Sequence, residues 1–317
     1  MTTIGSSYGN VKNMGDYNQA AQLVSQLDKA MEIPLYFKLP ESMTPFGEPY
    51  KIPVAGGGDI EIKPGFHEVP HNKGVINLRS GTLAAVVGQN YSVLQHGDAL
   101  GTTINTIESL GMKAMYKVEN DGNVARMEVL FPDITIKDDS KEGILLGVRM
   151  MNSYDKSTSF RGEFFGYRKV CSNGMYSSKI LGEISISAMH VGENFSRLEQ
   201  DVLKFVRHVV DSPQVVEKKI VEAIDAILNF KDKEQVYDTV FSQWQNMSAA
   251  EKISEAIPLH TNRWQVFNAM TRFLSHEDIT HRTRDNLAKV AEKVLLNDNF
   301  APVVMKEHAP RAKVTVK

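Results

Sequence analysis

The chain of 317 residues has almost no cysteine, because Cys171 is its single one. One thiol cannot form an intramolecular disulfide or a zinc site built on several cysteines, and such low cysteine usage is typical of reducing compartments. The sequence also lacks any run of eighteen apolar residues, and its first residues show no basic stretch followed by an apolar one. We therefore expect a cytoplasmic protein without a membrane partner.

An excess of charge of either sign is missing as well. The chain has 36 basic and 38 acidic residues, which gives a formal net charge of -2. The field of the whole molecule therefore gives no strong attraction to nucleic acid or to a membrane, so any charged binding site must be local. The hydrophobic content of 42% is enough for a sizeable core, and the length fits one large domain or two ordinary ones.

Motifs of common catalytic sites are absent. The glycine run at 55–59 lacks the Gly-Lys-Ser/Thr of a phosphate-binding loop, so we interpret it as a turn. Cys171 has no histidine near it in sequence, although His190 could approach it in space, and we interpret it as a buried structural thiol. His276 and His281 are five residues apart, whereas metal ligands that share a helix face are three or four apart. We predict no catalytic residue, no metal site and no cofactor.

A weaker alternative is that the protein is an enzyme. Asp133, Asp138 and Asp139 lie near Lys137 in the sequence. Metal-dependent nucleases hold a divalent ion with acidic residues and orient water beside it. The spacing departs from that arrangement, and the stretch 137–143 is typical of an exposed loop. The alternative function is a divalent-metal nuclease.

The N-terminal part is predicted to contain one helix and an irregular segment. Apolar residues at helical spacing predict an amphipathic helix from about Tyr17 to Ile33, with Asp16 as its cap. Residues 34–73 are rich in proline and glycine, which predicts an irregular arm or a set of short edge strands.

A β-rich region follows. Residues 74–88 are typical of a hairpin, and residues 97–110 are typical of a helix that ends on Gly111. Four further β-rich runs lie between residues 112 and 170 and are joined by short turns. Consecutive hairpins of this kind predict an antiparallel meander.

Helical periodicity takes over after residue 194. Five segments show it: Phe195 to Val210, Gln214 to Phe230, Glu234 to Met247, Thr261 to Leu274 and Arg284 to Leu296. Strands followed by helices predict the α+β class, here an antiparallel β-meander with flanking helices and then a helical C-terminal region. We divide the chain into an N-terminal helix and Pro/Gly-rich arm (1–73), an antiparallel α+β core (74–193), a helical region (194–300) and a basic tail (301–317).

The segment from Asn152 to Lys179 combines basic and aromatic residues. Bases stack on aromatic rings while lysine and arginine neutralise phosphates, so this mixture is typical of a groove for single-stranded nucleic acid. The alternative is that at least one set of these rings packs into the core, because each face of the predicted strand is mixed. The candidate nucleic-acid-binding residues are Lys156, Arg161, Phe165, Tyr167, Arg168, Lys169 and Lys179.

Four blocks of sequence carry a resemblance to a known family. They are Leu78 to Leu100, Asn152 to Met175, Met189 to Leu198 and Thr261 to His276. Through them the chain resembles an uncharacterised family of phage/plasmid-like proteins that prophages and plasmids carry. The residues of the family signature are Tyr91, Asn152, Asp155, Arg168, Cys171, Asn173, His190, Trp264 and Asn268.

The resemblance implies a mobile-element protein, in the cytoplasm of a host cell, and gives no mechanism. Our leading hypothesis is an accessory protein in DNA metabolism that binds single-stranded DNA without catalysis, as oligomeric annealing or recombination proteins do. The alternative is a protein-binding module that inhibits or redirects a host defence or replication component through the helical half. The partners expected are therefore single-stranded DNA, a host protein or further copies of the chain.

Overall fold

A computed structural model gives the fold of the chain. It describes residues 14–39, 50–53, 59–62, 65–140, 142–168, 173–177, 180, 187–188 and 197–303. Within these ranges, eight helices and thirteen strands form a mixed fold with antiparallel sheets and a helical C-terminal part, which confirms the predicted α+β class. No helix in them is both long and apolar enough to cross a membrane.

A short helix and a three-stranded sheet come first. Helix α1 (Tyr17–Ser25) begins with a capping box, in which Asp16 accepts the backbone N–H of Gln19 at 2.9 Å and the Gln19 side chain accepts that of Asp16 at 3.1 Å. The strands that follow are β1 (Ala30–Leu39), β2 (Tyr50–Pro53), β3 (Asp59–Ile62), β4 (Gly65–Asn77) and β5 (Leu83–Gly88). Strand β4 pairs with β1 and β5, whereas β2 and β3 form a separate two-stranded sheet.

The prediction of a helix as far as Ile33 is wrong in its second half. The helix ends at Ser25, and the chain from Ala30 onward pairs with β4 instead. Tertiary pairing thus overrides a local periodicity that is helical by spacing alone. Pro34 fits this strand because it lies next to a shift in register, where a missing N–H costs little. The predicted hairpin at 74–88 is confirmed by the pairing of β4 with β5.

The central sheet is the predicted meander. It is preceded by α2 (His96–Ser109), which ends just before Gly111, whose φ is 64°. The strands run in the order β10-β9-β8-β7-β6, and β11 also pairs with β9. Their bounds are β6 (Met115–Asn120), β7 (Val124–Ile136), β8 (Ile144–Ser153), β9 (Phe160–Arg168), β10 (Asn173–Ser177) and β11 (Ser187–Ala188).

The C-terminal part is helical, as predicted, with small differences in its elements. The predicted helix at 214–230 ends early because residues 227–229 pair with 260–262, and a separate helix follows Asn246, which caps it. The elements are α3 (Leu198–Asp211), α4 (Pro213–Asp225), β12 (Ile227–Asn229), α5 (Lys233–Trp244), α6 (Met247–Ala256), β13 (His260–Asn262), α7 (Arg263–His276) and α8 (His281–Leu296).

Helices cover both faces of the central sheet. A side chain at Gly162 of β9 would collide with Phe205 of α3, so α3 packs on the face to which residue 162 points. Arg149 of β8 lies opposite Glu163 in register and forms an ion pair with Asp285 of α8 at 3.0 Å. Because neighbouring residues of a strand point to opposite faces, α3 and α8 lie on opposite sides of the sheet.

One hydrophobic cluster joins the sheet to the helices on its two sides. It contains Val129 and Phe164 of the sheet together with Phe205 and Phe267 of the helices. The division of the chain into four parts at 1–73, 74–193, 194–300 and 301–317 stays a prediction. Residues 304–317 of the basic tail lie outside the described residues.

Gly147 offers a test of the packing of β8 against β7. A Cβ atom at this position would lie 2.0 Å from the backbone oxygen of Val129 and 3.0 Å from the Leu130 side chain. Because backbone cannot move as a side chain can, we expect Gly147→Ala to lower the free energy of unfolding by about 3 kcal/mol in a urea titration. Gly88→Ala is the matched control, since nothing lies within 4 Å of its Cβ. Equal stability of the two variants would contradict this account of the sheet.

Candidate binding cleft

The basic and aromatic segment does not form one continuous surface. The rings of Phe165 and Tyr167 are buried in the core, with 1% and 6% of their residue surfaces exposed, so they have no free face for a base. Packing of these rings into the core is the alternative that the sequence left open, because each face of the predicted strand mixes basic and aromatic residues. Lys169 and Lys179 lie outside the described residues.

Arg161 and Arg168 lie at opposite ends of β9. Seven residues at about 3.3 Å each separate them by about 23 Å. Arg168 is buried at its end and binds Asp138 and Asp139, which lie in the turn between β7 and β8. The structure therefore does not bring Arg168 together with Arg161, and nucleic-acid binding by these residues stays a prediction.

Arg168 belongs to a cluster that ties the turn to helix α7. The indole N–H of Trp264 donates to Asp139 Oδ1 at 3.0 Å, and the Arg168 guanidinium lies 5.8 Å from the centre of the Trp264 ring. Burial by itself raises the pKa of Asp138, but hydrogen bonds from Ser140 and Arg168 outweigh burial, so its pKa lies below the usual value. Both carboxylates are thus counter-ions of Arg168.

The acidic residues of the nuclease alternative have other partners in the fold. Asp138 and Asp139 are engaged by Arg168, while Asp133 is largely exposed and lies 4.0 Å from Lys113. Among the described residues, no group of three or more His, Cys, Asp or Glu side chains is placed to hold a metal ion. Nothing in this arrangement favours the nuclease alternative.

Arg161 and Lys156 line a cleft at the other end of β9. The cleft has a volume of about 910 Å³ and lies between the sheet and the start of α8. Arg126 of β7, Asp285 of α8 and Lys289 of α8 also line it. The charged side chains of its wall are Asp121, Arg126, Asp155, Lys156, Arg161, Asp285 and Lys289.

The register of the sheet builds the wall of the cleft. Met151 of β8 lies opposite Arg126 on one side and Arg161 on the other, so the two arginines share a face and are about 10 Å apart at the backbone. In the next row of the same face, Arg149 lies between Glu128 and Glu163. Sequence reasoning missed Arg126, although charged residues that alternate with apolar ones along β7 were a signal for such a face.

The carboxylates of the cleft are bound within the protein. Asp121 accepts the backbone N–H of Val124 at 2.8 Å and forms an ion pair with Arg126 at 3.1 Å. Asp285 is paired with Arg149, and Asp155 accepts the backbone N–H of Ser157 at 2.9 Å. The carboxylates that line the cleft therefore already have hydrogen-bond or ion-pair partners within the protein.

The hydrogen-bond donors in the wall of the cleft have fewer partners within the protein than its carboxylates have. Arg161 pairs with Glu163 at 3.4 Å, and Arg126 pairs with Asp121, yet the Nε atoms of both arginines are buried and meet no acceptor among the described residues. A buried donor without a partner costs about 1–3 kcal/mol, so such groups call for a specific reason. An anionic ligand in the cleft would provide acceptors beside this wall.

Lys156 has an unusual backbone conformation at the rim. Its φ is 63°, in the left-handed region that side chains with a Cβ rarely adopt, and its Nζ donates to the carbonyl of Val86 at 2.9 Å. Backbone strain of this kind collects at functional sites. A lysine amine is therefore held at the rim of the cleft at a cost in backbone energy.

Asn152 belongs to a second buried cluster beside α2. Its side-chain N–H groups donate to the Leu94 carbonyl and to Nδ1 of His96, both at 2.9 Å. The His96 ring stacks on Tyr154, with centroids 3.7 Å apart, and the Tyr154 hydroxyl donates to the Asp28 carbonyl at 2.8 Å. This cluster fixes the end of β8, from which the chain turns into the Lys156 loop.

Comparison with known proteins places the chain in a family. A family model described as a domain of unknown function (DUF932) matches residues 84–295, which is more than half of the chain. The chain belongs to this family. The resemblance to an uncharacterised family is thereby confirmed, whereas a phage or plasmid origin stays a prediction. No curated protein and no solved structure matches the chain.

In this DUF932 chain three of the nine signature residues lie in the two buried clusters. Asn152 belongs to the His96 cluster, and Arg168 and Trp264 belong to the Asp139 cluster. Tyr91 packs against the small hydrophobic cluster that contains Tyr154, and burial, together with the charges of Glu32 and Asp155, raises its pKa to about 12. Among the signature residues that the structure describes, Asp155 is the one that lines the cleft.

The remaining signature residues lie outside the two buried clusters and the cleft, or outside the described part of the chain. Asn268 is half-buried on α7 and accepts a hydrogen bond from Thr271 through its backbone carbonyl at 3.2 Å. Asn173 begins β10. Cys171 and His190 lie outside the described residues.

The lowered pKa of Asp138 predicts that the stability of the fold depends on pH. Its pKa is lower in the folded chain than in the unfolded one, so the ionised form favours folding above pH 3.8, and this contribution is lost as the pH falls below that value. We expect Asp138→Asn to be less stable than the wild type at pH 7 and to lose less stability between pH 5 and about pH 2, measured by thermal unfolding. Asp133→Asn, at an exposed position, is the control and should follow the wild type. Parallel pH curves for Asp138→Asn and the wild type would refute the ion-pair assignment.

Two variants separate the backbone strain at Lys156 from the role of its amine. Both Lys156→Gly and Lys156→Ala remove the amine, but only glycine adopts a φ of 63° freely. We expect Lys156→Gly to be more stable than Lys156→Ala by about 1 kcal/mol in chemical denaturation. If the alanine variant were the more stable of the two, the loop would not hold residue 156 in the left-handed region.

Proposed function

We propose that this DUF932 protein binds single-stranded DNA through the cleft between the sheet and α8, as a non-catalytic accessory protein of phage or plasmid DNA metabolism. The observation that carries the proposal is the pair of arginines in one wall, Arg126 and Arg161, whose buried Nε atoms meet no acceptor in the part of the chain that the structure describes. Guanidinium groups are well suited to phosphate, because their donors form a rigid fork.

The charge around the cleft supports this proposal. Lys156 and Lys289 add two amines to the two arginines, while Asp121 and Asp285 are already paired with arginines of the sheet. An incoming phosphate therefore meets cations whose internal partners neutralise them only in part. The lining thus has four basic residues against three acidic ones, a small local excess of positive charge in a chain whose net charge is -2.

The cleft favours contact with phosphates over stacking of bases. Its lining includes Val124 and Met151 as apolar residues and no aromatic ring among the described residues. Binding through phosphates alone depends little on sequence and is strongly weakened by salt. This differs from the stacking expected of Phe165 and Tyr167, whose rings are in the core.

Fluorescence anisotropy with a labelled oligonucleotide over a series of salt concentrations tests the proposal. We expect binding at low salt with a steep negative slope of log K against log salt. Arg161→Glu and Lys289→Glu should each weaken binding at least tenfold and make the slope shallower by about one unit for each lost contact. Lys204→Glu is the matched control, since Lys204 is an exposed lysine on α3, on the opposite side of the sheet.

The outcomes of this titration are separable. Absence of any DNA binding at low salt would overturn the proposal. Binding that all three variants weaken alike would move the DNA surface away from the cleft. Circular dichroism of each variant confirms that a loss of affinity does not come from a loss of fold.

A second candidate function is the binding of a host protein. Met31 of β1 and Leu83 of β5, both apolar and at least half exposed, lie on either side of Ile76 of β4 in the small sheet. Exposed apolar side chains that lie together mark protein-binding surfaces. This function predicts that a host protein co-purifies with the chain and that affinity for DNA is absent.

A further inference from the structure

Resting on the proposed function, we infer that the cleft receives the end of a DNA strand, with a terminal phosphate monoester placed against Arg126 and Arg161. The juxtaposition behind this inference is a cleft of limited size whose wall combines the N-terminus of a long helix with two arginines, whose Nε atoms have no acceptor among the described residues.

The size of the cleft favours a strand end over a strand that passes through. Its volume of about 910 Å³ lies within the range of about 300–1,000 Å³ for sites that enclose one small ligand. Grooves that follow a single strand bind about four or more nucleotides for each module. The cleft therefore has room for the last one or two nucleotides of a strand.

The donors in the wall favour a phosphate monoester. Arg126 is more than nine-tenths buried, pairs with Asp121 through one terminal nitrogen, and has no acceptor for its Nε among the described residues. A terminal phosphate has a charge of about -1.5 to -2 and three acceptor oxygens, whereas an internal phosphodiester has a single charge. The doubly charged group competes better with Asp121 and Glu163, which already neutralise the two arginines in part.

The start of α8 adds to the same site. Thr280 caps this helix of 16 residues, accepts the backbone N–H of Thr283 at 3.3 Å, and lines the cleft. The N-terminus of a helix has a partial positive charge of about one half, which favours anions beside it. Lys289 lies more than two turns further along α8 and lines the cleft as well. The helix thus contributes its N-terminus and Lys289 to the cleft, while its Asp285 is paired with Arg149 of the sheet.

Four oligonucleotides of one sequence test the inference with the full chain. They have a 5′-phosphate, a 3′-phosphate, hydroxyl groups at both ends, or no ends because the strand is a closed circle. We expect one phosphorylated form to compete at least tenfold better than the hydroxyl form and the circle in anisotropy competition at fixed salt. Inorganic phosphate should compete with the preferred oligonucleotide and leave weaker, general binding unchanged.

Variants that keep a positive charge distinguish the paired donors of a guanidinium from simple electrostatic attraction. Arg126→Lys and Arg161→Lys retain a positive charge but lose the paired donors of guanidinium, so the preference for the phosphorylated end should fall below threefold while general binding persists. Lys204→Ala is the control that should keep the full preference. Because Arg126 is buried and its variant can fail to fold, Arg161→Lys, whose side chain is 24% exposed, carries the test independently.

The results distinguish this inference from the proposed function. Equal binding of all four oligonucleotides, or a full preference in folded Arg161→Lys, would overturn the inference and leave DNA binding in place. No binding of any oligonucleotide at low salt would overturn both. A preference for one phosphorylated end supports the inference and identifies whether the 5′ or the 3′ end enters.

Discussion

The antiparallel register of β7, β8 and β9 determines where the charged side chains of the central sheet lie. It places three arginines on one face of neighbouring strands, and each is paired with an acidic residue: Asp121, Asp285 or Glu163. A slip of one residue would turn every one of these side chains to the opposite face, into the layer that packs against α3. The register therefore fixes both the core and the wall of the cleft.

The buried ion pair of Arg149 with Asp285 shows how this register is coupled to the helices. Arg149 is only 1% exposed, and a buried charge that lost its partner would be strongly destabilising. Helix α8 must therefore lie where Asp285 can reach the sheet, and the cleft opens beside that contact. The position of the cleft is a consequence of the pairing, since its lining includes Asp285 together with Arg126 and Arg161.

The fold class could be predicted from local patterns, because alternation along the meander and helical spacing after residue 194 are properties of short segments. The end of α1 could not, since the strand at Ala30–Leu39 exists only through its pairing with β4. Of the candidate binding residues, Lys156 and Arg161 line the cleft, whereas Arg168, grouped with them through closeness in sequence alone, binds Asp138 at the other end of β9. Asp138, Asp139 and Trp264 contact Arg168 from segments about 30 and 100 residues away, and no local pattern reveals such partners.

The position of the tryptophans has a practical consequence for spectroscopy. The chain has two of them, Trp244 in α5 and Trp264 in α7, and both are buried in the helical half. Trp264 lies against a guanidinium, and Trp244 meets Phe273 edge to face with centroids 5.5 Å apart. Intrinsic tryptophan fluorescence will therefore report on the packing of the helical half and, through the contacts of Trp264 with Asp139 and Arg168, on how α7 docks onto one end of the sheet.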